Sequence, residues 1–270
     1  MNLGVLGLFR IEPIVKLKID LMMKMLNDRV LLKIALLLMM ALPTVVQAQN
    51  FSRYNWYFGS SNQAIRFSRS DNSANLINFV QAPPLGTGGS AVASSKLNGD
   101  LLFYTDGVNV FDITNQQINP APLTGNASAN QPVAIAKVPG QVSQYYIFTN
   151  SSNNTTGGNI EFSIVDMSLP GNSTAPAPPS GAMLSPAPTA LLAARSEAMI
   201  TVPHFNGQDF WLITHANGTN DFAVLLFTST GLTTTTTFTG AGFIEVAANF
   251  SYHENSGSIA VSPQETTRDI

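Results

Sequence analysis

Cysteine is absent from the 270-residue sequence, which excludes disulfide bonds and thiolate metal ligands. Charge is also scarce, since Asp, Glu, Lys and Arg together make up 11% of the residues. From Gln49 onward there are seven basic and 13 acidic residues, a formal net charge of −6. This acidic excess disfavours a nucleic-acid partner, which needs a basic surface to neutralise phosphates. Asn, Ser, Thr, Gly and Pro dominate instead, a composition typical of extracellular β-proteins.

Common enzyme motifs are missing as well. The sequence contains no G-x-S-x-G, no H-E-x-x-H, no phosphate-binding loop and no dinucleotide fingerprint. A serine nucleophile therefore has no support in the sequence.

An export signal is predicted near the N-terminus. Residues 31–41 (LLKIALLLMMA) form an apolar run of the length of a signal-peptide core, and Lys24, Arg29 and Lys33 supply the positive charge. The run is too short to cross about 30 Å of hydrocarbon comfortably, so we expect no stable membrane span after cleavage. Val46-Gln47-Ala48 fits a signal-peptidase site, which predicts cleavage between Ala48 and Gln49. Residues 1–48 are thus interpreted as an upstream extension plus signal peptide.

One structural unit recurs in residues 49–270. It consists of an apolar strand, a tight turn with Gly, an aromatic strand, a loop and another strand. The clearest copies span residues 89–113, 132–166 and 197–227, and partial copies span 56–67 and 244–261. Their turns contain Asn-Gly, Asp-Gly or Pro-Gly pairs, and the first two pairs are strong hairpin signals.

The period of this unit predicts the fold. The aromatic strands begin near residues 55, 101, 145, 210 and 257, about 45 residues apart once a Pro/Ala/Ser-rich loop at 168–190 is set aside. Such a period indicates an all-β chain of β-propeller-like (WD-repeat-like) blades of antiparallel strands. A β-sandwich is the alternative. Because a propeller must close to hide its edge strands, these incomplete blades also predict that the chain is a fragment of a longer protein.

Several strings within the copies resemble a known family. NWYFG (55–59), GDLLFYTDG (99–107), QYYIFTN (144–150), FSIVDM (162–167) and FWLITH (210–215) are similar, in order and spacing, to the N-terminal region of large Bacteroidetes surface proteins associated with gliding motility and type IX secretion. The resemblance covers nearly all of the chain after the signal, and it implies propeller-like domains and a cell-surface location. It implies no general biochemical activity.

The sequence departs from that family in three places. Gly88-Gly89 stand where the family usually has an acidic residue before a glycine, and residues 127–131 (ASANQ) replace a Ser/Thr/Gln-rich string. The family's C-terminal sorting domain is not in this sequence, as expected if the chain is a fragment.

Metal sites have weak support in the sequence. Two of the histidines, His204 and His215, flank one hairpin and could face each other across it, but a metal site needs three or four ligands. Strand-end hydrogen bonding is the simpler interpretation, and the third histidine is His253. A structural calcium ion is conceivable, although the D-x-[DN]-x-[DN]-G pattern is absent. We expect the aspartates at turns to cap their own backbone; they are Asp100, Asp106, Asp112 and Asp166.

Carboxylates and aromatics are the remaining candidates for chemistry. A pair among Glu161, Glu197, Glu245 and Glu254 could serve glycoside hydrolysis, although an exposed, solvated position is the simpler prediction for each. The aromatics are expected to pack between blades; they are Trp56, Tyr57, Phe58, Phe103, Tyr104, Tyr145, Tyr146, Phe148, Phe210 and Trp211. Adjacent pairs such as Tyr145-Tyr146 should point to opposite faces of their strand.

These observations favour a non-catalytic, exported module for adhesion to a surface protein or glycan, with no cofactor. The alternative is an extracellular enzyme that acts on polysaccharide from a propeller scaffold. The two hypotheses predict different pores. Two carboxylates and an aromatic converging on the centre would favour the enzyme, whereas Ser, Thr and aliphatic side chains there would favour binding.

Overall fold

A computed structural model describes residues 54–239, except positions 69, 72, 154–156, 175 and 186, and five positions near the N-terminus. The chain divides into two compact units, Met1–Ala48 and Gln49–Ile270. The five described positions of the first unit are helical and exposed; they are Leu17, Lys18, Asp20, Leu21 and Lys24. Among all described residues, no helix is long and apolar enough to cross a membrane. The predicted cleavage site at Ala48 and Gln49 lies outside the described residues.

The described part of the second unit contains 14 β-strands, one short 3-10 helix (Gly59–Ser61) and no α-helix. Every strand pair is antiparallel, and none of the three sheets closes on itself within residues 54–239. The predicted all-β class is therefore confirmed. Short connections suit this arrangement, since antiparallel neighbours need only a hairpin turn.

The first two sheets contain three strands each. The first sheet has the order β1 (Asn55–Phe58), β2 (Gln63–Phe67), β3 (Ala74–Asn78). The second has the order β4 (Ala91–Ser94), β5 (Leu101–Thr105), β6 (Val110–Asp112). Both are meanders in which each strand pairs with the next one along the chain.

The third sheet contains eight strands in the order β14-β13-β12-β11-β9-β8-β7, with β10 paired to β9. Its strands are β7 (Val133–Lys137), β8 (Gln144–Asn150), β9 (Gly158–Asp166), β10 (Ala182–Met183), β11 (Thr189–Pro203), β12 (Phe210–Ala216), β13 (Asp221–Thr228) and β14 (Gly231–Thr239).

Strand β11 joins two groups of strands within this sheet. Its first half pairs with β9 and its second half pairs with β12, and the register shifts between Arg195 and Met199. Ala194 has a φ of 54° at this point, a left-handed conformation that a residue with a side chain seldom adopts. The strand therefore changes partner at a bulge.

The tight turns occur where the sequence predicts them. Gly99 and Gly207 follow asparagine in the β4–β5 and β11–β12 connections, with φ of 69° and 71°. Glycine is required there because a Cβ atom disfavours positive φ. The copies predicted at 89–113, 132–166 and 197–227 correspond to β4–β6, to β7–β9, and to the second half of β11 with β12 and β13.

Some strands have no counterpart in the predicted pattern. β3 is mostly exposed, and β14 is exposed at all positions but one, so neither carries the alternating apolar signal of a half-buried strand. β14 includes the threonine run 233–237 and is the last strand in the order of the third sheet. β10 lies inside the Pro/Ala/Ser-rich range 168–190, and β11 begins at its end.

The core forms where sheet faces meet. One cluster, around Tyr57 and Tyr104, joins the first and second sheets; a second, around Phe103 and Ile147, joins the second and third; a third lies within the large sheet around Tyr146, Phe148 and Phe227. Tyr145 packs with the second of these clusters and Tyr146 with the third. This confirms that the adjacent tyrosines point to opposite faces.

A candidate site in the cleft between three strands

Four strand segments contact one another in succession. β1 contacts β4, β4 contacts β7, and β7 contacts β11. Side-chain hydrogen bonds add to two of these contacts. The Ser90 hydroxyl donates to the Tyr57 carbonyl at 2.6 Å, and the Thr201 hydroxyl of β11 donates to the Ile135 carbonyl of β7 at 3.0 Å. The apolar strands that open the three clearest copies, β4, β7 and the second half of β11, are therefore brought side by side, and β4 also contacts β1, the aromatic strand of the first partial copy.

A cleft of about 330 Å³ lies where β4, β7 and the end of β11 converge. Such a volume is at the lower end of the range for small-molecule sites. Its walls are mostly aliphatic or hydroxyl-bearing, and two hairpin turns form its mouth. We call it the three-strand cleft; its lining is Val92, Ala93, Ser94, Lys96, Ile135, Ala136, Lys137, Tyr145, Thr201, Pro203, Gly207, Gln208, Asp209 and Phe210.

The cleft concentrates positive charge in an acidic chain. The described residues between 54 and 239 include four basic and nine acidic side chains, of which two basic and one acidic line this cleft. The side chains of Lys96 and Lys137 are exposed, and neither ammonium group forms a hydrogen bond or ion pair within the described residues. The acidic residue, Asp209, accepts a 2.7 Å hydrogen bond from the Asn206 amide of its own turn.

Tyr145 supplies a neutral polar group in the same cleft. Its ring meets Phe103 edge-on at 5.7 Å, which holds it in place between two sheets. Burial raises the pKa of Tyr145, so the phenol stays protonated at neutral pH and can donate a hydrogen bond.

The loops that precede β4 and β7 pack backbone against backbone. The amides of Gly88 and Gly89 donate to the carbonyls of Ala127 and Ala129 at 2.8 and 2.9 Å. A Cβ at Gly88 would lie 2.1 Å from the Ala129 carbonyl oxygen, so only glycine fits. Segments 88–89 and 127–131 therefore contact each other; both were noted above as differing from the family that the sequence resembles.

Glu197 belongs to this loop contact. It is 2% exposed, and its Oε2 accepts hydrogen bonds from the Asn130 backbone N–H at 3.0 Å and the Asn130 side-chain amide at 2.9 Å. The prediction of a solvated position is therefore wrong for Glu197. Glu161 is half-buried on β9, and Glu245 and Glu254 lie outside the described residues.

Three of the four turn aspartates cap backbone groups, as predicted. Asp100 is the exception, because its carboxylate accepts from the side-chain amide of Asn98 and not from a backbone N–H. Asp106 accepts from the amides of Val108 and Asn109 at 2.9 and 2.7 Å, and its second oxygen accepts from Gly86 at 2.9 Å. Asp112 caps Thr114 at 2.8 Å, and Asp100 binds Asn98 of its own turn.

Asp166 accepts the 2.9 Å backbone hydrogen bond of Ser168. Burial acts to raise the pKa of Asp166, but hydrogen bonds from Ser168, Ser143 and Gln144 outweigh it and lower the pKa to about 2. It is therefore ionised at neutral pH.

The histidines lie apart from each other. His204 is in the β11–β12 turn, where its ring packs on Phe205 and Trp211 at 4.4 and 5.5 Å. His215 lies at the far end of β12, is 4% exposed, and contacts the Ser196 hydroxyl at 3.3 Å. The expectation that they face each other is wrong, because the hairpin places them at opposite ends of one strand. His253 lies outside the described residues, which include no group of three or more His, Cys, Asp or Glu arranged to hold a metal ion.

Most of the listed aromatics are buried or half-buried, but Trp56 and Phe58 are not. They are 50% and 41% exposed on the outward face of β1. They line a separate cleft of about 640 Å³ with Gly59, Ser60 and Ser90 among its other residues. Alternation along β1 places Asn55 and Tyr57 inward and these two outward.

Sequence reasoning missed the two lysines of the three-strand cleft. Lys96 follows β4 and Lys137 ends β7, so they occupy nearly equivalent positions in two successive copies of the repeat. Aligning the copies with each other would have drawn attention to this pair.

No protein-family model, curated protein or solved structure matches this chain.

Proposed function

We propose that this chain is a non-catalytic binding module, exported to the cell surface, that engages a glycan or protein partner through the three-strand cleft. The observation that carries the proposal is the lining of that cleft. Aliphatic and hydroxyl-bearing side chains form most of it, two lysines and two aromatic rings contribute as well, and its one described carboxylate is tied to its own turn through Asn206. Such a lining offers contacts and hydrogen bonds to a ligand.

The rival function, hydrolysis of a polysaccharide, requires two carboxylates about 5 to 10 Å apart across the scissile bond. Asp209 is the one acidic side chain among the described residues of the cleft. Glu197 is engaged at the loop contact with Asn130 and forms no part of that lining. The cleft therefore favours binding over hydrolysis.

The proposal includes a β-propeller-like architecture. Its support is the succession of contacts from β4 to β7 and β11, because the opening strands of propeller blades adjoin one another around a central axis. The antiparallel order within each group of strands and the period of about 45 residues agree with this architecture. A β-sandwich accounts for the strand content but gives no reason for the repeat.

The cell-surface location is proposed on sequence grounds. It depends on the predicted signal at residues 31–48 and on the resemblance to Bacteroidetes gliding-motility and type IX secretion proteins.

Screening the full 270-residue chain against an array of bacterial and algal glycans tests the proposal, with soluble candidates incubated in parallel to detect released reducing ends. We expect retention of at least one glycan class and no release of reducing ends. Gln208→Trp should weaken retention at least about tenfold, because a bulky ring at the cleft mouth blocks entry.

Gln141→Trp is the matched control, since Gln141 is an equally exposed glutamine in the β7–β8 hairpin and does not line the cleft. Far-ultraviolet circular dichroism verifies that both variants fold. Steady production of reducing ends would overturn the binding proposal in favour of an enzyme. Equal retention by the two tryptophan variants would show that the partner binds elsewhere.

A further inference from the structure

We infer that the three-strand cleft selects an acidic sugar, one that carries a carboxylate or a sulfate group. This inference rests on the proposed binding function and assigns a ligand class to its site. It is drawn from the charge and chemistry of the lining residues, beginning with Lys96 and Lys137.

Two of the three charged side chains that line the cleft are lysines, so its net charge is positive. Both ammonium groups lack a partner among the described residues, whereas the only described acid of the cleft, Asp209, is held by Asn206. Half of the described basic side chains of residues 54–239 are therefore gathered at one cleft of an otherwise acidic surface. An anion bound there gains charge-assisted hydrogen bonds, which are roughly twice as strong as neutral ones.

The remaining polar groups suit a sugar ring. Tyr145 can donate through its phenol, Thr201 keeps its hydroxyl oxygen as an acceptor, and Gln208 offers a carbonyl and an amide. Sugar hydroxyls both donate and accept, so they match this mixture. Pro203 and Ile135 provide apolar surface for the carbon–hydrogen faces of a ring.

The size of the cleft limits the ligand. A volume of about 330 Å³ accommodates a small ring system and is too small to enclose a folded partner. The position of Lys96 and Lys137 near two hairpin turns leaves the mouth open to a longer polysaccharide that extends into solvent.

Affinity measurements on the full chain test the inference with four probes: polygalacturonate, dextran sulfate, neutral dextran and polyglutamate. We expect the two acidic polysaccharides to bind and neutral dextran not to bind, and we expect affinity to fall as NaCl is raised from 50 to about 500 mM, because salt screens the lysine charges. Comparing the carboxylated and sulfated probes identifies which acid the cleft prefers.

Variants link that binding to the lysines. Lys96→Gln and Lys137→Gln should each lower the affinity for the preferred acidic probe about tenfold, as expected for the loss of a hydrogen bond to a charged group. The double variant Lys96→Arg/Lys137→Arg is the matched control and should retain most of the affinity, because it keeps both charges.

The other possible outcomes contradict either the acidic-sugar inference or the proposed binding function. Unchanged affinity in the Lys→Gln variants contradicts the inference. Equal, lysine-dependent binding of polyglutamate shows that the cleft selects negative charge and not a sugar. Binding of neutral dextran that Gln208→Trp abolishes and Lys96→Gln leaves intact refutes the acidic-sugar inference while the proposed binding function stands. If no glycan or protein partner depends on Gln208, the proposed function itself fails.

Discussion

Glu197 and Asn130 are joined by two hydrogen bonds to a single carboxylate oxygen, although 67 residues separate them in the chain. Oε2 of Glu197 accepts from both the backbone and the side chain of Asn130, at 3.0 and 2.9 Å. The contact fixes the loop before β7 against the bulged segment of β11. A carboxylate that the sequence offered as a catalytic candidate thus has a structural partner.

Replacing Glu197 tests that structural role. Glu197→Ala should lower the free energy of unfolding by about 2 to 4 kcal/mol, because it removes two hydrogen bonds to a buried charged group. Glu197→Gln should cost less, since its amide oxygen still accepts. Urea denaturation measures both values. Glu161→Ala is the control, and a Glu197→Ala variant as stable as that control would contradict the structural role.

A stacked aromatic pair forms part of the contact between the first and second sheets. Tyr57 and Tyr104 lie with ring centroids 4.2 Å apart and an interplanar angle of 23°. Tyr57→Ala should lower the free energy of unfolding by about 3 to 5 kcal/mol, because it leaves a cavity between two sheets. Phe58→Ala, at the neighbouring 41% exposed position, should cost about 1 kcal/mol or less. Similar losses from the two variants would refute this account of the interface.

Gly88 is needed for close approach of two loops. Gly88→Ala would place a Cβ 2.1 Å from the Ala129 carbonyl oxygen and 2.7 Å from the Ser128 carbonyl carbon. We expect a loss of about 1 to 3 kcal/mol, the usual cost of overpacking. The adjacent Thr87→Ala variant, at an exposed position, should stay within about 0.5 kcal/mol of the unmodified protein. Thermal unfolding distinguishes them, and equal midpoints would show that the loops separate without penalty.

His215 makes stability depend on pH. Burial lowers the pKa of His215 in the folded protein, and the Arg195 charge lowers it further. The unfolded state therefore binds a proton near the ordinary pKa of 6.5 while the folded state does not. Stability from this residue is fully present above about pH 6.5 and declines as the pH falls below it.

The variant His215→Gln should reduce the slope of unfolding free energy against pH between about pH 5 and 6.5, measured by urea titration at each pH. His204→Gln is the matched control, since it alters a histidine in the β11–β12 turn at the other end of β12. If His215→Gln leaves the slope unchanged, the buried ring does not remain neutral in the folded protein.

Local signals in the sequence were sufficient for the strands and turns of the repeats. Alternation predicted that Tyr145 and Tyr146 would serve different clusters, and the Asn-Gly pair predicted the turn at Gly99, because these features depend on backbone geometry over a few residues. The backbone capping by Asp106, Asp112 and Asp166 was predicted for the same reason. β3 and β14 were not predicted, because exposed strands have little alternation of apolar and polar residues.

Contacts between residues that are far apart in the chain were decided by the tertiary structure. The sequence by itself determined an all-β chain, the turns of its main hairpins and the opposite faces of Tyr145 and Tyr146, but not the outward direction of Trp56 and Phe58. Only the packed sheets decided that Glu197 would meet Asn130, that His204 and His215 would be separated by the length of β12, and that Lys96 and Lys137 would border one cleft. Each of these outcomes depends on which strands adjoin and on where β11 changes partner at Ala194. Such pairings are set by the sum of long-range contacts, which no short stretch of sequence contains.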